Sequence, residues 1–131
     1  MSQARITVVI GNTSERSRTK VLAQAIADGL QQALPAQLTV VEIHQVAPHI
    51  ATTGQPTPEG AAAVQAIEQA DLVVAVTPVY KGSYTGLFKH LFDLVGPDAL
   101  VDTPVLLAAN GGRDRHALVV DHQLRPLFAR H

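Results

Sequence analysis

The chain has 131 residues, enough for one domain with one core. Apolar residues make up 47% and charged residues 16%, with a formal net charge of -1, so neither a disordered chain nor the basic footprint of a nucleic-acid binder fits. It has no cysteine, which excludes a disulfide scaffold, a thiolate zinc site and thiol catalysis.

The first element follows almost at once. Ile6-Thr7-Val8-Val9-Ile10 is a β-branched apolar run, and no secretory pattern precedes it. No apolar stretch approaches the ~20 residues that span a bilayer. A soluble, cytoplasmic protein is expected, with no membrane or nucleic-acid partner. Leu22, Ile26 and Leu30 repeat at helical spacing until Pro35. Leu38 to Ile43 forms a second strand, whose Thr39 and Glu42 place it nearer a sheet edge. Ala47 to Pro58 is rich in Pro, Thr and Gly and is expected to be a loop. Thr57-Pro58-Glu59 then has the pattern of an N-cap, a first-turn proline and a first-turn acid, with Val64 and Ile67 on one face of the helix it starts.

Leu72 to Val76 is a third strand, and Leu87, Leu91 and Leu94 form the stripe of a third helix. Val105 to Ala109 is a fourth strand, and Ala117 to Phe128 a fourth helical segment. Strands one, three and four are nearly continuous apolar runs, as expected for strands covered on both faces. The alternation β-α-β-α-β-α-β-α calls for a parallel sheet with helices on both faces.

Two loops carry the chemistry. Gly11 to Thr19 joins the first strand to a helix and offers several hydroxyls, Arg18, and the unpaired N–H groups of a helix start, a natural anion site. Arg18 is placed to add a charge-assisted bond to a phosphate. Ser17 taken alone reads equally well as a helix cap. The loop matches neither G-x-G-x-x-G nor G-x-x-x-x-G-K-[ST], so a Rossmann dinucleotide site and a P-loop lose support. The second loop, Thr77 to Gly86, combines a proline, glycines and tyrosines, a composition suited to holding a flat ring. With strand order 2-1-3-4, both loops flank the switch point where open parallel sheets bind ligands.

The run Pro78-Val79-Tyr80-Lys81-Gly82-Ser83-Tyr84-Thr85-Gly86-Leu87-Phe88-Lys89 resembles the flavin loop of the NADPH-dependent FMN reductase family. The likeness is strongest to the reductases of two-component alkanesulfonate and methanesulfonate monooxygenase systems. Ser17-Arg18-Thr19, Ala109-Asn110-Gly111-Gly112 and Asp121-His122-Gln123-Leu124-Arg125-Pro126 resemble further elements of that family, so the likeness runs the length of the chain. It implies a flavodoxin-like three-layer α/β sandwich with sheet order 2-1-3-4(-5), in a single domain over 1–131 that lacks the family's last strand and helix. The fourth strand is then expected to have no outer neighbour.

The resemblance also implies the site. Thr13, Ser17, Arg18 and Thr19 hold the FMN phosphate. Pro78, Val79, Tyr80, Lys81, Gly82 and Ser83 line the ring, and Gly111 and Gly112 approach its other edge. Asn12 and Asn110 depart from the commoner Ser and Thr of the family. The implied reaction is hydride transfer from NADH or NADPH to FMN, which needs orientation rather than a side-chain acid or base, so no catalytic residue is expected. The implied partners are further copies of the chain, in a homodimer or homotetramer, and a flavin-dependent monooxygenase. The other readings are a quinone or azo reductase or electron carrier with a fixed FMN, and a non-enzymatic flavin-binding module. The six histidines show no metal-ligand spacing, and no metal is expected. Pro126 has no N–H to give the carbonyl of His122, so a kink or π-type bulge is expected over 121–126.

Overall fold

A computed structural model describes residues 3–12, 14, 17–50, 55–78, 86–96 and 98–110. The expected fourth helix and its bulge lie outside them. Strands β1 (Ala4–Ile10), β2 (Ala36–Glu42), β3 (Leu72–Pro78) and β4 (Val105–Asn110) form a parallel sheet in the order β2-β1-β3-β4, the flavodoxin-like order expected from the sequence. The helices are α1 (Arg18–Ala33), α2 (Ile43–Val46), α3 (Pro58–Glu68) and α4 (Gly86–Asp93). A 3-10 turn at Ala47–His49 follows α2.

Alternation along β1 and β3 sorts the core onto two faces. Ile6, Val8, Ile10, Val74 and Val76 pack with Ala23 and Ala27 of α1. Val9, Val73 and Ala75 pack with Val41, Ile67, Phe88, Leu91 and Phe92 on the other face. The Phe88 and Phe92 rings meet there at a centroid distance of 5.0 Å, tilted by 55°, a favoured aromatic geometry.

Several details differ from the sequence expectation. The second strand starts two residues earlier, at Ala36, and Ile43 already belongs to α2. The 3-10 turn at Ala47–His49 falls within the expected loop, and Ile43, Val46 and Ile50 on either side of it are buried in the core. The fully buried line of α1 is Thr19, Ala23 and Ala27, with Leu22, Ile26 and Leu30 only flanking it. Small side chains let the helix axis approach the sheet, and the larger ones fill the sides. In α4 the buried stripe is Phe88, Leu91 and Phe92, continuing to Val95, whereas Leu87 is exposed. Among the described residues β4 pairs with β3 alone; Val105, Leu107 and Ala109 pack against one face of the core and Ala108 against the other, while Leu106 is 43% exposed.

The start of α3 fits its signals. Thr57 is extended, and its Oγ1 accepts from the Gly60 N–H at 3.4 Å. The backbone N–H of Glu59 and the Thr57 hydroxyl hold the Glu59 carboxyl below its ordinary pKa. That contribution is present at neutral pH and is lost as pH falls through the lowered value. Gly60 is required for packing, since a Cβ there would collide with the His49 carbonyl oxygen. The same carbonyl accepts from the Thr57 N–H at 3.1 Å, tying the 3-10 turn to the helix. Gly60→Ala is expected to cost about 1–3 kcal/mol, read as a lower urea midpoint at unchanged m-value.

Candidate functional site

Parallel pairing sets all four strands pointing one way. Ile10 stands in register with Glu42 on one side and Val76 on the other, and Pro78 with Asn110. The segments that leave β1, β2, β3 and β4 therefore start from one edge of the sheet, where open α/β folds bind ligands.

Gly11 is the first residue past β1. Its N–H donates to the Val76 carbonyl at 2.7 Å, carrying the chain toward β3. A Cβ at Gly11 would lie 2.9 Å from Thr77 Oγ1 and 3.1 Å from Phe88 Cδ2. Only glycine lets the loop cross so close to β3 and α4. Asn12 follows, wholly buried, and its Nδ2 donates to Ser14 O at 3.0 Å and Glu42 Oε1 at 2.9 Å. With both amide protons used on acceptors, the orientation of the amide is fixed. Among the described residues its Oδ1 has no donor, a deficit worth about 1–3 kcal/mol if left unmet.

Ser17 caps α1. It is extended, and its Oγ accepts from the Lys20 N–H at 2.9 Å. The helical ladder opens with the Val21 N–H donating to the Ser17 carbonyl at 3.3 Å. The N–H groups of Arg18 and Thr19 precede that ladder, so they are helix-start donors with no acceptor inside the helix. The Arg18 side chain is exposed and Thr19 is 2% exposed, against the sheet. The Ser17 hydroxyl keeps a proton to donate after capping. Backbone donors, a hydroxyl and an exposed guanidinium at one helix start fit a phosphate group.

The structure thus brings Ser17, Arg18 and Thr19 together at this edge, with Pro78 half-buried at the end of β3. Thr13, Val79, Tyr80, Lys81, Gly82, Ser83, Gly111 and Gly112 lie outside the described residues. Sequence reasoning missed the polar cluster behind the loop. Glu42, with a side chain 10% exposed, lies 3.3 Å from Lys20 Nζ and 3.4 Å from His44 Nε2 as well as bonding Asn12. The signal was an acid at the last position of a strand, read only as a mark of the sheet edge.

Two grooves open on the α3 side of β2. One of about 360 Å³ includes Val41, Glu42, Val46, His49 and Glu59, and one of about 320 Å³ includes Arg5, Gln37 and Gln69. Both share Thr39, Ala62 and Ala66. Among the described residues no cluster of His, Cys, Asp or Glu is arranged to hold a metal, and no helix is long and apolar enough to cross a membrane.

Two stability changes test this geometry. Ser17→Ala is expected to lose about 1 kcal/mol, the worth of a helix cap. Gly11→Ala is expected to lose about 1–3 kcal/mol by overpacking, and Thr77→Ala in the same chain to recover part of it. A paired series of urea unfolding curves measures both.

Residues 4–131 match the family model for NADPH-dependent FMN reductase. An FMN reductase (NADPH) from Pseudomonas aeruginosa is 50% identical over 131 residues, spanning 98% of this chain and 70% of that protein. The NADH-dependent FMN reductase SfnF of Pseudomonas fluorescens is 52% identical over 128 residues, spanning 95% and 68% respectively. Among solved structures, an oxidoreductase from Corynebacterium diphtheriae superposes with a TM-score of 0.89 at 32% identity, over 98% of this chain and 75% of that one. With a matching family model, half its residues shared with these relatives and the same fold, this chain belongs to the NADPH-dependent FMN reductase family, a family of oxidoreductases that act on FMN with a nicotinamide.

Proposed function

We propose that this reductase holds FMN at the carboxyl edge of its sheet and hands reduced FMN to a flavin-dependent sulfonate monooxygenase. The observation that carries the placement is the start of α1. It presents the N–H groups of Arg18 and Thr19, the Ser17 hydroxyl and the exposed Arg18 beside the point where β1 and β3 end. Thr13, Ser17, Arg18 and Thr19 are assigned to the phosphate. Pro78, Val79, Tyr80, Lys81, Gly82 and Ser83 are assigned to the ring, and Gly111 and Gly112 to its far edge. The partner assignment rests on the resemblance to the sulfonate-linked reductases, and the name of the Pseudomonas fluorescens SfnF relative agrees with it. A homodimer or homotetramer is proposed on the same likeness.

When bound, FMN supplies the ring that accepts hydride from the nicotinamide. The chain contributes binding and orientation. Arg18 and the helix-start donors fix the phosphate end, and a ligand held at one end reaches the reacting geometry at lower entropic cost. No side chain is needed to move a proton in hydride transfer itself, so no acid or base is assigned.

Oxidation of NADH or NADPH, followed at the nicotinamide absorbance, is expected to rise and saturate with added FMN. Oxidation by a yellow protein that ignores added FMN supports a fixed flavin instead. Arg18→Ala is expected to weaken FMN about tenfold, near the 1.4 kcal/mol scale of a single charge-assisted bond, while riboflavin affinity stays within twofold. Equal losses for the two flavins by fluorescence titration count against the phosphate assignment.

A further inference from the structure

The polar cluster behind the α1 loop has no part in the assignments above. We infer that Glu42 is a positioning residue for phosphate recognition, acting through Asn12 to set the shape of the loop that follows β1. The inference rests on the phosphate site proposed above.

Glu42 ends β2 and pairs in register with Ile10, the last residue of β1. A carboxylate this deeply buried is unfavourable unless partnered. Its Oε1 accepts from Asn12 Nδ2 of the loop at 2.9 Å and pairs with Lys20 Nζ of α1 at 3.3 Å, two partners from two segments, with His44 Nε2 of α2 at 3.4 Å. The Asn12 amide passes the constraint on, because its second bond goes to the Ser14 carbonyl at 3.0 Å. One oxygen at the end of β2 thereby holds Asn12 and, through its amide, Ser14.

The chemistry rules out a direct role. A carboxylate repels a phosphate, so Glu42 cannot be its ligand. Its charge is instead balanced by Lys20, whose backbone N–H is the one Ser17 receives. What Glu42 offers the site is an acceptor in a fixed place, and a loop held in its binding shape before the ligand arrives loses less on binding. The effect is confined to the phosphate end of the flavin, because the ring loop leaves from β3.

The test compares FMN with riboflavin, which lacks the phosphate, by fluorescence titration of the full chain. Glu42→Ala removes the acceptor and is expected to weaken FMN about tenfold, one hydrogen bond's worth, with riboflavin within twofold of wild type. Glu42→Gln keeps an oxygen for Asn12 and releases Lys20, so FMN binds as in the wild type or tighter. Asn12→Ala is expected to match Glu42→Ala, and the double substitution to be no worse than either alone. Asn12→Ala decides the matter if Glu42→Ala does not fold. The inference fails if Glu42→Ala binds FMN normally, if it weakens both flavins equally, if Glu42→Gln is as weak as Glu42→Ala, or if the two alanine effects multiply. A wild-type chain that binds FMN and riboflavin equally refutes the phosphate site itself, and the inference with it.

Discussion

Parallel pairing of β1 between β2 and β3 is the constraint from which the site follows. Ile10 is held against Glu42 and Val76 by two ladders at once. Every segment that leaves the sheet beyond this level must share one edge. The first two residues after β1 are tied down there. The first is bonded to β3 through Val76, and the second to β2 through Glu42. The Ser17 cap holds the start of α1, and an anion site needs helix-start N–H groups in a fixed direction.

The core supports that constraint on both sides. Val8, Val9, Val73, Val74, Ala75 and Val76 are buried almost completely, so β1 and β3 cannot slide against each other without moving residues from one face to the other. Toward the edges burial falls, and Val40 on β2 and Leu106 on β4 are exposed. Burial therefore grades outward from β1 and β3.

Much of this was legible in the sequence, and the failures have physical reasons. The continuous runs of β1 and β3 announced buried parallel strands, and Thr57-Pro58-Glu59 announced a helix start, because each signal is local. The helix faces were harder. Leu22, Ile26 and Leu30 looked like the buried stripe of α1, but depth is set by how near a helix can come, and Ala23 and Ala27 allow the nearest approach. Leu87 misled for a related reason, since Phe88 and Phe92 carry more area and take the inward positions. At the candidate site, the helix start at Ser17, Arg18 and Thr19 was readable from its local pattern. Glu42 was not, because its partners Asn12 and Lys20 are distant in sequence and meet it only once β2 lies beside β1.

The two faces of the sheet have a consequence for how such a chain can diverge. The residues packed with α1 and those packed with α3 and α4 form separate sets, divided by the backbone of the sheet. A change of volume on one face is absorbed there, and substitutions on opposite faces combine nearly independently. Selection can thus refit the layer that packs through α4 without refitting the layer that packs through α1. Gly11 limits that freedom on its own face: a Cβ there would lie 2.9 Å from Thr77 Oγ1 and 3.1 Å from Phe88 Cδ2, so any refitting of α4 must keep room for the chain that leaves β1.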